Sequence, residues 1–417
     1  MKKHAIIPVF ISHRGCPNDC VFCNQKRITA RTGDVTAADA RRTIEEHLST
    51  LEKMNLETVE LAFFGGSFTG IALEEQCAFL SLAKEYKDAG RIDKIHLSTR
   101  PDYINREILD NLKAYGVDVI ELGVQSFDEE VLALSGRGHD ARVVFESSAL
   151  IKDYGFTLGI QLMVGLPGDT LEKCIFSARQ TVRIAPAIAR IYPTVVLRDT
   201  ALHDRMLAGL YTPLSEEEAV LRSKAIYEIL DDAGINIIRV GLKSSDIMAS
   251  ETAFHPAFRQ LVEGRIARER LEAALAAELG ASGGLGAPGP GLGGLGTLGG
   301  RPSGQPGSRL GGSGGLGDLG GLGDGLGAAA ASEVLPPPAP GMSEVLFFSN
   351  EKCYNNMFGH KACNRAYFEA KYPQLRFRYA VDPTLKNNEY KVRLSSAEPV
   401  PENKKEIKNE SSCNSYR

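Results

Sequence analysis

Three cysteines lie close together near the start of the chain, in the segment Gly15-Cys16-Pro17-Asn18-Asp19-Cys20-Val21-Phe22-Cys23. Iron-sulfur cubanes are held by thiolates, normally four of them. Three thiolates in one short loop would therefore leave one iron open to a ligand that the protein does not supply. The spacing predicts a [4Fe-4S] cluster with one reactive iron, and it makes Cys16, Cys20 and Cys23 the candidate metal ligands and catalytic residues.

Two other roles for these thiols, zinc binding and disulfide formation, have less support. A structural zinc ion needs four ligands, usually in pairs two residues apart, and the nearest spare ligand is His13. A disulfide would leave one thiol of the triplet over, and nothing marks the chain as secreted. The uneven spacing therefore favours a cluster over zinc or a disulfide.

Length and composition set the outer bounds. The chain has 417 residues, enough for two domains or for one large barrel with appendages. Its net charge of -4 argues against a surface that coats nucleic acid, although a local basic groove remains compatible with it. Because no apolar run is long enough to span a membrane or to form a signal peptide, we expect a cytoplasmic protein without a membrane partner.

One stretch differs from the rest in composition. Residues 280–341 contain 24 of the 43 glycines, alternating with Leu, Ala, Ser and Pro. Such a sequence buries too little to offset its ordering entropy, which predicts a flexible linker. We therefore expect five regions: a barrel over 1–245, a helical extension over 246–279, the linker over 280–342, a small α/β unit over 343–393 and a disordered tail over 394–417.

Apolar runs of strand length alternate with longer amphipathic stretches, which is the pattern of parallel βα units. Strands are predicted at 5–11, 58–64, 94–98, 119–123, 157–164, 190–195 and 236–240. Helices are predicted at 37–54, 73–89, 105–115, 141–154, 170–184 and 215–233. The repeats predict an α/β fold with a parallel (β/α) barrel, partial or full, whose chemistry lies at the C-terminal strand ends. A doubly wound sheet is the alternative, but its glycine-rich turn after the first strand is missing.

The cysteine spacing, with Phe22 just before the last cysteine, resembles the radical S-adenosylmethionine (radical SAM) superfamily. In that superfamily the amino acid end of SAM chelates the open iron. The resemblance implies a barrel of the radical SAM type, in which the reduced cluster cleaves SAM to methionine and a 5'-deoxyadenosyl radical. It also implies SAM as cofactor, a one-electron donor of ferredoxin or flavodoxin type, and Phe22 as a shield for the cluster.

Later segments extend the resemblance to the SAM site. Gly65, Gly66 and Ser67 are similar to the residues that grip the methionine amino group in the superfamily. Gln125 and Arg137 resemble the SAM contacts of the group that includes oxygen-independent coproporphyrinogen oxidases and the Elongator catalytic subunit. The chemistry suits this assignment, because a guanidinium matches the carboxylate of SAM and an amide can bridge ribose hydroxyls.

Three more residues are candidate SAM contacts with less support. The apolar segment over 159–164 leads into a turn that begins at Gly165. It resembles the strand that lies beside adenine in the superfamily. Gln161 stands where relatives often have Asp, and Ser98 stands where the coproporphyrinogen oxidases carry an acidic residue. These two departures weaken the assigned contacts without removing Ser98, Gln161 or Gly165 from the candidate site.

The segments over 99–102 and 191–200 resemble the Elongator catalytic subunit more closely than the oxidases, and this resemblance covers about residues 1–245. It implies an enzyme that modifies a tRNA wobble uridine. The candidate residues on the substrate side are Lys26, Arg27, Arg31, Arg100 and Tyr192. An acetyl-CoA phosphate loop is not found in the sequence, so acetyl transfer is not carried over.

Other functions stay open on sequence grounds. The scaffold could act on a small metabolite, bind haem without turnover, or serve as a metal-dependent RNA-binding module. A second metal site at Cys353, His360 and Cys363 is disfavoured, because a fourth ligand is missing and the spacing fits no common site. Cys77 and Cys174 lie on apolar helical faces and are expected to be buried as small hydrophobes.

Overall fold

A parallel sheet of seven strands forms the larger part of the molecule. The computed structural model describes residues 4–11, 15–16, 20–23, 35–242, 255–281 and 343–395. The strands pair in sequence order, and every pair is parallel. They are β1 (His4–Ile11), β2 (Thr58–Gly65), β3 (Lys94–Thr99), β4 (Val119–Gln125), β5 (Thr157–Val164), β6 (Ile188–Pro193) and β7 (Asn236–Val240).

Helices follow the strands and cover one side of the sheet. They are α1 (Ala37–Leu51), α2 (Leu73–Asp88), α3 (Arg106–Ala114), α4 (Glu129–Leu134), α5 (Ala141–Asp153), α6 (Leu171–Ile184), α7 (Ala201–Leu207), α8 (Glu216–Asp232) and α9 (Phe258–Ala281). A side-chain oxygen caps the first turn of most of them, because it accepts a hydrogen bond from a backbone amide that the helix leaves unpaired. The capping residues are Thr36, Asn105, Asp128, Asp140, Thr170, Thr200 and Ser215.

The strand order makes the sheet a partial barrel. In the part of the chain that the structure describes, β1 and β7 are the two edges and do not pair with each other. Sequential parallel order also excludes the doubly wound alternative, in which the order reverses. The prediction of a parallel (β/α) barrel is thus confirmed in its partial form.

Alternate residues of each strand face opposite sides, and the two sides differ in character. Toward the helices lies a continuous apolar core that includes Ile7, Leu61, Leu97, Leu122 and Ile160. The inner side carries polar groups instead, and these are described with the site. None of the helices within the described ranges has the length and apolar character needed to cross a membrane.

The C-terminal unit is a second, smaller α/β layer. Its sheet has the order β10-β8-β9, with β8 (Ser343–Ser349) parallel to β9 (Leu375–Val381) and antiparallel to β10 (Lys391–Ser395). Two short helices, α10 (Tyr354–Phe358) and α11 (Cys363–Lys371), complete it. Helix α9 joins the unit to the barrel: its first half packs Val262 and Ile266 into the barrel core, and its second half packs Leu271 and Leu275 against the C-terminal unit.

The structure differs from the sequence-based elements in a few places. Strand β6 spans Ile188–Pro193, two residues earlier than the predicted 190–195. The apolar residues Val195 and Val196 leave the sheet and pack into two small clusters of their own, so hydrophobicity alone misplaced the strand end. Helices α4 and α7 and strand β10 were not predicted, since each is only five to seven residues long.

Candidate functional site

The cysteine loop lies against two other segments at the C-terminal end of the barrel. Cys20 is buried and Cys16 and Cys23 are half-buried. The amide of Val21 donates to the carbonyl oxygen of Ser135, 3.1 Å away, and the amide of Leu202 donates to the carbonyl oxygen of Val21 at 2.7 Å. These bonds connect the loop to the end of α4 and to the start of α7, and so fix the position of Cys20.

Phe22 packs with an apolar cluster beside this loop. Its half-buried ring lies against the group formed by Val21, Val196 and Leu202, together with Met206 and Tyr211. The cluster anchors the loop from the side of α7. Whether Phe22 also shields a bound cluster stays a prediction.

Two glycines allow the cysteine loop to approach the turn after β2. Gly15 has a φ of +70°, and a Cβ atom there would lie 2.3 Å from the carbonyl oxygen of Ser67. A Cβ atom on Gly70 would lie 2.0 Å from the carbonyl oxygen of Gly15. Any side chain at either position would push the two backbones apart. The glycines therefore bring the predicted cluster loop and the predicted SAM turn into direct contact.

The turn itself begins at the end of β2. Gly65 has a φ of +112°, and the amide of Gly66 donates to the carbonyl oxygen of Ile11 at 2.7 Å. Ser67 is buried, and its hydroxyl lies 2.8 Å from the hydroxyl of Thr99 and accepts from the amide of Arg100 at 3.1 Å. The Ser67 hydroxyl thus joins β2 to β3, a role that the sequence did not indicate, and its contact with SAM stays a prediction.

The end of β4 is distorted around Gln125. The pairing of β4 with β5 shifts between Gly123 and Gln125, and Gln125 has a φ of +70° although it is not glycine. Such backbone strain persists where the surroundings enforce it, often at functional sites. The side-chain Oε1 of Gln125 is buried and has no hydrogen-bond partner among the described residues. A buried acceptor without a donor is unfavourable, so this amide is suited to receive a hydroxyl or amine of a bound ligand.

Arg137 connects Gln125's strand to the cysteine loop. One guanidinium nitrogen, Nη1, donates to the Sγ of Cys20 at 3.2 Å, and Nη2 donates to the carbonyl oxygen of Gly123. The third nitrogen, Nε, is buried and has no partner in the described part of the chain. Arg137 is therefore in contact with Cys20, a predicted cluster ligand, and lies next to the Gln125 end of the barrel.

Arg100, predicted on the substrate side, lies in the interior. Its side chain is buried and makes two hydrogen bonds to the carboxylate of Asp102, at 2.9 and 2.8 Å, and one to the carbonyl oxygen of Arg137 at 2.5 Å. A large substrate cannot reach a guanidinium in this position directly. Tyr192 is half-buried on the inner side of β6, where its hydroxyl accepts from Arg190 at 3.4 Å.

A buried polar network crosses the inner side of the barrel, and the sequence did not indicate its central residues Glu121, Arg190 and His96. The carboxylate of Glu121 is fully buried and accepts from Nε of Arg190 at 2.7 Å and from the side-chain amide of Gln161. His96 lies beside it, with Nδ1 2.5 Å from a Glu60 oxygen and Nε2 3.7 Å from a Glu121 oxygen.

This network positions two of the predicted SAM contacts. Ser98 donates to Glu121 at 3.4 Å, and the Gln161 amide group is held by the same carboxylate. With its Nε2 toward Glu121, Gln161 has its carbonyl oxygen left to accept from another group. The signal that could have found Glu121 was its place between Ile120 and Leu122, as an acidic residue inside a buried strand.

A cavity of about 470 Å³ opens next to Gly165. It lies between the turn after β5 and the segment that joins α7 to α8, and its lining includes Leu134, Arg205, Leu210 and Tyr211. Gly165 is the predicted site residue that borders it. The other predicted basic contacts, Lys26, Arg27 and Arg31, lie outside the described residues.

The surroundings of Cys16 and Cys20 fit an anionic group. In the part of the chain that the structure describes, Arg100 and Arg137 bring two permanent positive charges, while Asp102 supplies one negative charge. Nη1 of Arg100, Nε of Arg137 and both ring nitrogens of His139 are buried without partners among the described residues. A cluster held by three thiolates carries negative charge and sulfur acceptors, which such donors would satisfy.

Comparison with known proteins decides the family. Residues 10–179 match the model of the radical SAM superfamily, and residues 186–268 match that of the radical SAM C-terminal domain. The chain is a radical SAM protein. The family identifies the cofactors of this radical SAM protein as a [4Fe-4S] cluster and SAM and supports an enzyme, so these predictions are confirmed at the level of the family.

The relatives of this radical SAM protein include tRNA-modifying enzymes. It is 29% identical over 255 residues to the tRNA uridine(34) acetyltransferase of Methanocaldococcus infernus, which covers 52% of this chain and 48% of that protein. The Dehalococcoides mccartyi enzyme of the same name is 26% identical over 292 residues, with 60% and 62% covered. Elongator complex protein 3 of Schizosaccharomyces pombe is 31% identical over 167 residues, with 37% and 30% covered.

A solved structure supports the fold. The archaeal Elp3 of Methanocaldococcus infernus with an N-terminal deletion (1–46) superposes with a TM-score of 0.53 at 22% identity, and 64% of each chain is covered. The radical SAM chain described here spans about half the length of the Methanocaldococcus acetyltransferase and less than two thirds of the Dehalococcoides one. The prediction of an Elongator-like radical SAM barrel is confirmed.

Proposed function

We propose that this protein is a radical SAM enzyme that modifies the wobble uridine of tRNA. One observation carries the catalytic part of the proposal. Arg137 joins the Sγ of Cys20 to the carbonyl oxygen of Gly123, next to the buried and unpartnered amide oxygen of Gln125. A cluster ligand, a carboxylate-binding cation and a hydroxyl-binding amide thus meet at one end of the barrel.

The residues of the chain would bind and orient the cofactors. Cys16, Cys20 and Cys23 would hold the cluster, Arg137 the carboxylate of SAM and Gln125 its ribose hydroxyls. The turn at Gly65 and Gly66 lets the amino group approach the backbone. When bound, the cluster and SAM supply one-electron cleavage of SAM, which starts radical chemistry on the substrate. The electron would come from a ferredoxin- or flavodoxin-type donor in the cytoplasm.

The substrate part rests on the relatives and on local charge. Three relatives carry the name tRNA uridine(34) acetyltransferase. Lys26, Arg27 and Arg31 follow the cysteine loop directly and would supply phosphate contacts. Because the chain spans only part of those relatives, acetyl transfer itself is not included in the proposal.

SAM cleavage tests the catalytic part. After anaerobic reconstitution and reduction, we expect the wild-type chain to release 5'-deoxyadenosine and methionine from SAM, measured by liquid chromatography. The Gln125→Ala variant should bind iron normally but cleave SAM more slowly, because the substitution removes a group that binds SAM and leaves the three cluster ligands in place. A reconstituted wild type that binds haem and leaves SAM intact would contradict the proposal.

Binding of total tRNA at two ionic strengths tests the substrate part. Binding to the wild type should weaken steeply with salt, and the log-log slope should shrink by about 0.7 to 0.9 for each phosphate-binding cation removed in the Lys26→Ala/Arg27→Ala/Arg31→Ala triple variant. The matched control removes three exposed cations of the outer helices, Arg42, Lys84 and Arg142. Absent or salt-insensitive binding would favour a small metabolite as substrate.

A further inference from the structure

Arg100 lies in a position that neither SAM binding nor substrate binding explains. It follows β3 directly, and its side chain is only 4% exposed. Two of its nitrogens, Nε and Nη2, hold the carboxylate of Asp102 in a bidentate pair, and Nη2 also donates to the carbonyl oxygen of Arg137. The remaining nitrogen, Nη1, is buried without a partner in the described ranges.

The hydrogen bond from Arg100 to the Arg137 carbonyl oxygen places Arg100 near the predicted cluster site. Arg137 is the residue whose guanidinium donates to the Sγ of Cys20. Burial alone would lower the pKa of Arg100, but the hydrogen bonds and charge of Asp102 hold that pKa above its ordinary value. Arg100 is therefore connected to the predicted ligand Cys20 through a single residue, Arg137.

Among the residues that the structure describes, the charges around this point do not balance. Arg100 and Arg137 are both buried, and the carboxylate of Asp102 pairs with Arg100. His139 adds no charge near neutral pH, because burial and then the charge of Arg137 lower its pKa to about 4. A buried cation without a counterion is costly, so the surplus positive charge needs an anion. A cluster bound by Cys16, Cys20 and Cys23 would supply such negative charge.

We infer that Arg100 and Asp102 together set the reduction potential of the cluster held by Cys16, Cys20 and Cys23. Arg100 acts as a positioning and electrostatic residue: it holds the Arg137 backbone and stabilises the extra negative charge that the cluster gains on reduction. Asp102 orients Arg100 and partly offsets its charge. Net charge and hydrogen bonding near the sulfurs are established determinants of cluster potential. This inference rests on the proposed cluster site but is independent of the substrate.

Arg100 and Asp102 carry opposite charges. Removing one charge or the other should therefore shift the reduction potential of the cluster in opposite directions. Arg100→Gln removes a positive charge and should make the cluster harder to reduce. Asp102→Asn removes a negative charge and should make it easier to reduce. The measurement is a redox titration of the anaerobically reconstituted protein, followed by electron paramagnetic resonance of the reduced cluster. We expect the ratio of reduced to oxidised cluster at a fixed potential to change about tenfold in each direction, equivalent to about 59 mV.

Two controls separate this role from a structural one. Arg100→Lys keeps the charge and should retain most of the wild-type potential. Arg41→Gln removes an arginine from the exposed Arg41–Glu85 pair on the outer helices and should leave the potential unchanged. If Arg100→Gln does not retain iron, Asp102→Asn and Arg100→Lys still decide the question.

Two results would overturn the inference. One is a potential that moves in the same direction, or not at all, in Arg100→Gln and Asp102→Asn with iron content intact. The other is an unchanged or lower potential in Asp102→Asn. A wild-type chain that binds no iron would instead refute the proposed cluster site, and the inference with it, so the two failures can be told apart.

Discussion

The Nη1 nitrogen of Arg137 donates a hydrogen bond of 3.2 Å to the Sγ of Cys20, although the two residues lie 117 positions apart in the chain. The loop that carries Cys20 follows β1, and Arg137 follows α4, so the contact joins the first and fourth strand-helix units. It places a permanent cation beside the sulfur of a predicted cluster ligand and beside the predicted binding site for a carboxylate. Arg137 could therefore interact with both the predicted cluster and SAM.

Removing Arg137 should weaken SAM binding strongly. A charge pair that is shielded from water costs about 2 to 5 kcal/mol when one partner is removed, which predicts at least a tenfold loss of SAM affinity in Arg137→Ala. Isothermal calorimetry on the reconstituted protein measures it. Unchanged affinity at normal iron content would remove Arg137 from the SAM site.

The iron content of cysteine variants tests the cluster ligands. Wild-type protein should carry about four irons per chain after anaerobic reconstitution, with the brown absorbance of a cubane cluster. Cys20→Ala should lose this absorbance, because the substitution removes a predicted cluster ligand whose sulfur also accepts the Arg137 hydrogen bond. Cys353→Ala and Cys363→Ala, in the C-terminal unit, serve as controls and should keep it. Normal iron in Cys20→Ala would disprove the cluster assignment.

Truncating Glu121 should destabilise the barrel. Its carboxylate is fully buried and is the ion-pair partner of Arg190, whose side chain is 8% exposed. Glu121→Ala leaves Arg190 buried without that partner, and we expect the free energy of unfolding to fall by about 3 to 5 kcal/mol. Denaturant unfolding followed by circular dichroism measures this loss.

The control for Glu121 is an exposed acid in a similar pair. Glu85 pairs with Arg41 on the outer helices, where water screens the interaction, so Glu85→Ala should change stability little. Equal losses in the two variants would mean that the buried network does not contribute as the structure indicates.

His139 should make stability depend on pH. The pKa of its imidazole is about 4 in the folded chain, against 6.5 for an ordinary histidine. Between these values the unfolded chain binds a proton that the folded chain does not, so the free energy of unfolding decreases as the pH falls. Between pH 7 and pH 5 we expect this residue to account for a loss of about 2 kcal/mol in the cluster-free protein.

Comparison with His139→Gln isolates that effect. The variant cannot take up the proton, so its stability should fall less than that of the wild type over the same pH interval. His47→Gln, on the exposed face of α1, is the control and should follow the wild type. Parallel pH profiles for wild type and His139→Gln would contradict the prediction.

The strands of the parallel sheet could be predicted from the sequence because each is buried between the helices and the barrel interior. Each therefore has an apolar run of its own. The same reasoning misplaced β6, where Val195 and Val196 are apolar but pack outside the sheet. The short elements α4, α7 and β10 carry too few residues for a periodic pattern. Local sequence therefore located the barrel well and the irregular connections poorly.

The candidate site shows a similar division. Cys16, Cys20 and Cys23 could be predicted as cluster ligands from the sequence because their spacing is local, and this assignment stays a prediction. The pair of Glu121 and Arg190 joins residues 69 positions apart, and it forms only because the strand register brings them together. The bond from Arg100 to the Arg137 carbonyl likewise depends on how two loops meet at the barrel end. Contacts of this kind follow from the tertiary structure and leave little trace in the local sequence.

Helix α9 contributes apolar side chains to two separate cores, Val262 and Ile266 to the barrel and Leu271 and Leu275 to the C-terminal unit. If either core unfolds, the half of α9 that packs against it becomes exposed to water. The two parts are therefore coupled in unfolding, as a single cooperative unit would be, even though 61 residues separate α9 from β8 in the chain. A ligand that stabilises the barrel would, through α9, also protect the C-terminal unit against denaturation and proteolysis.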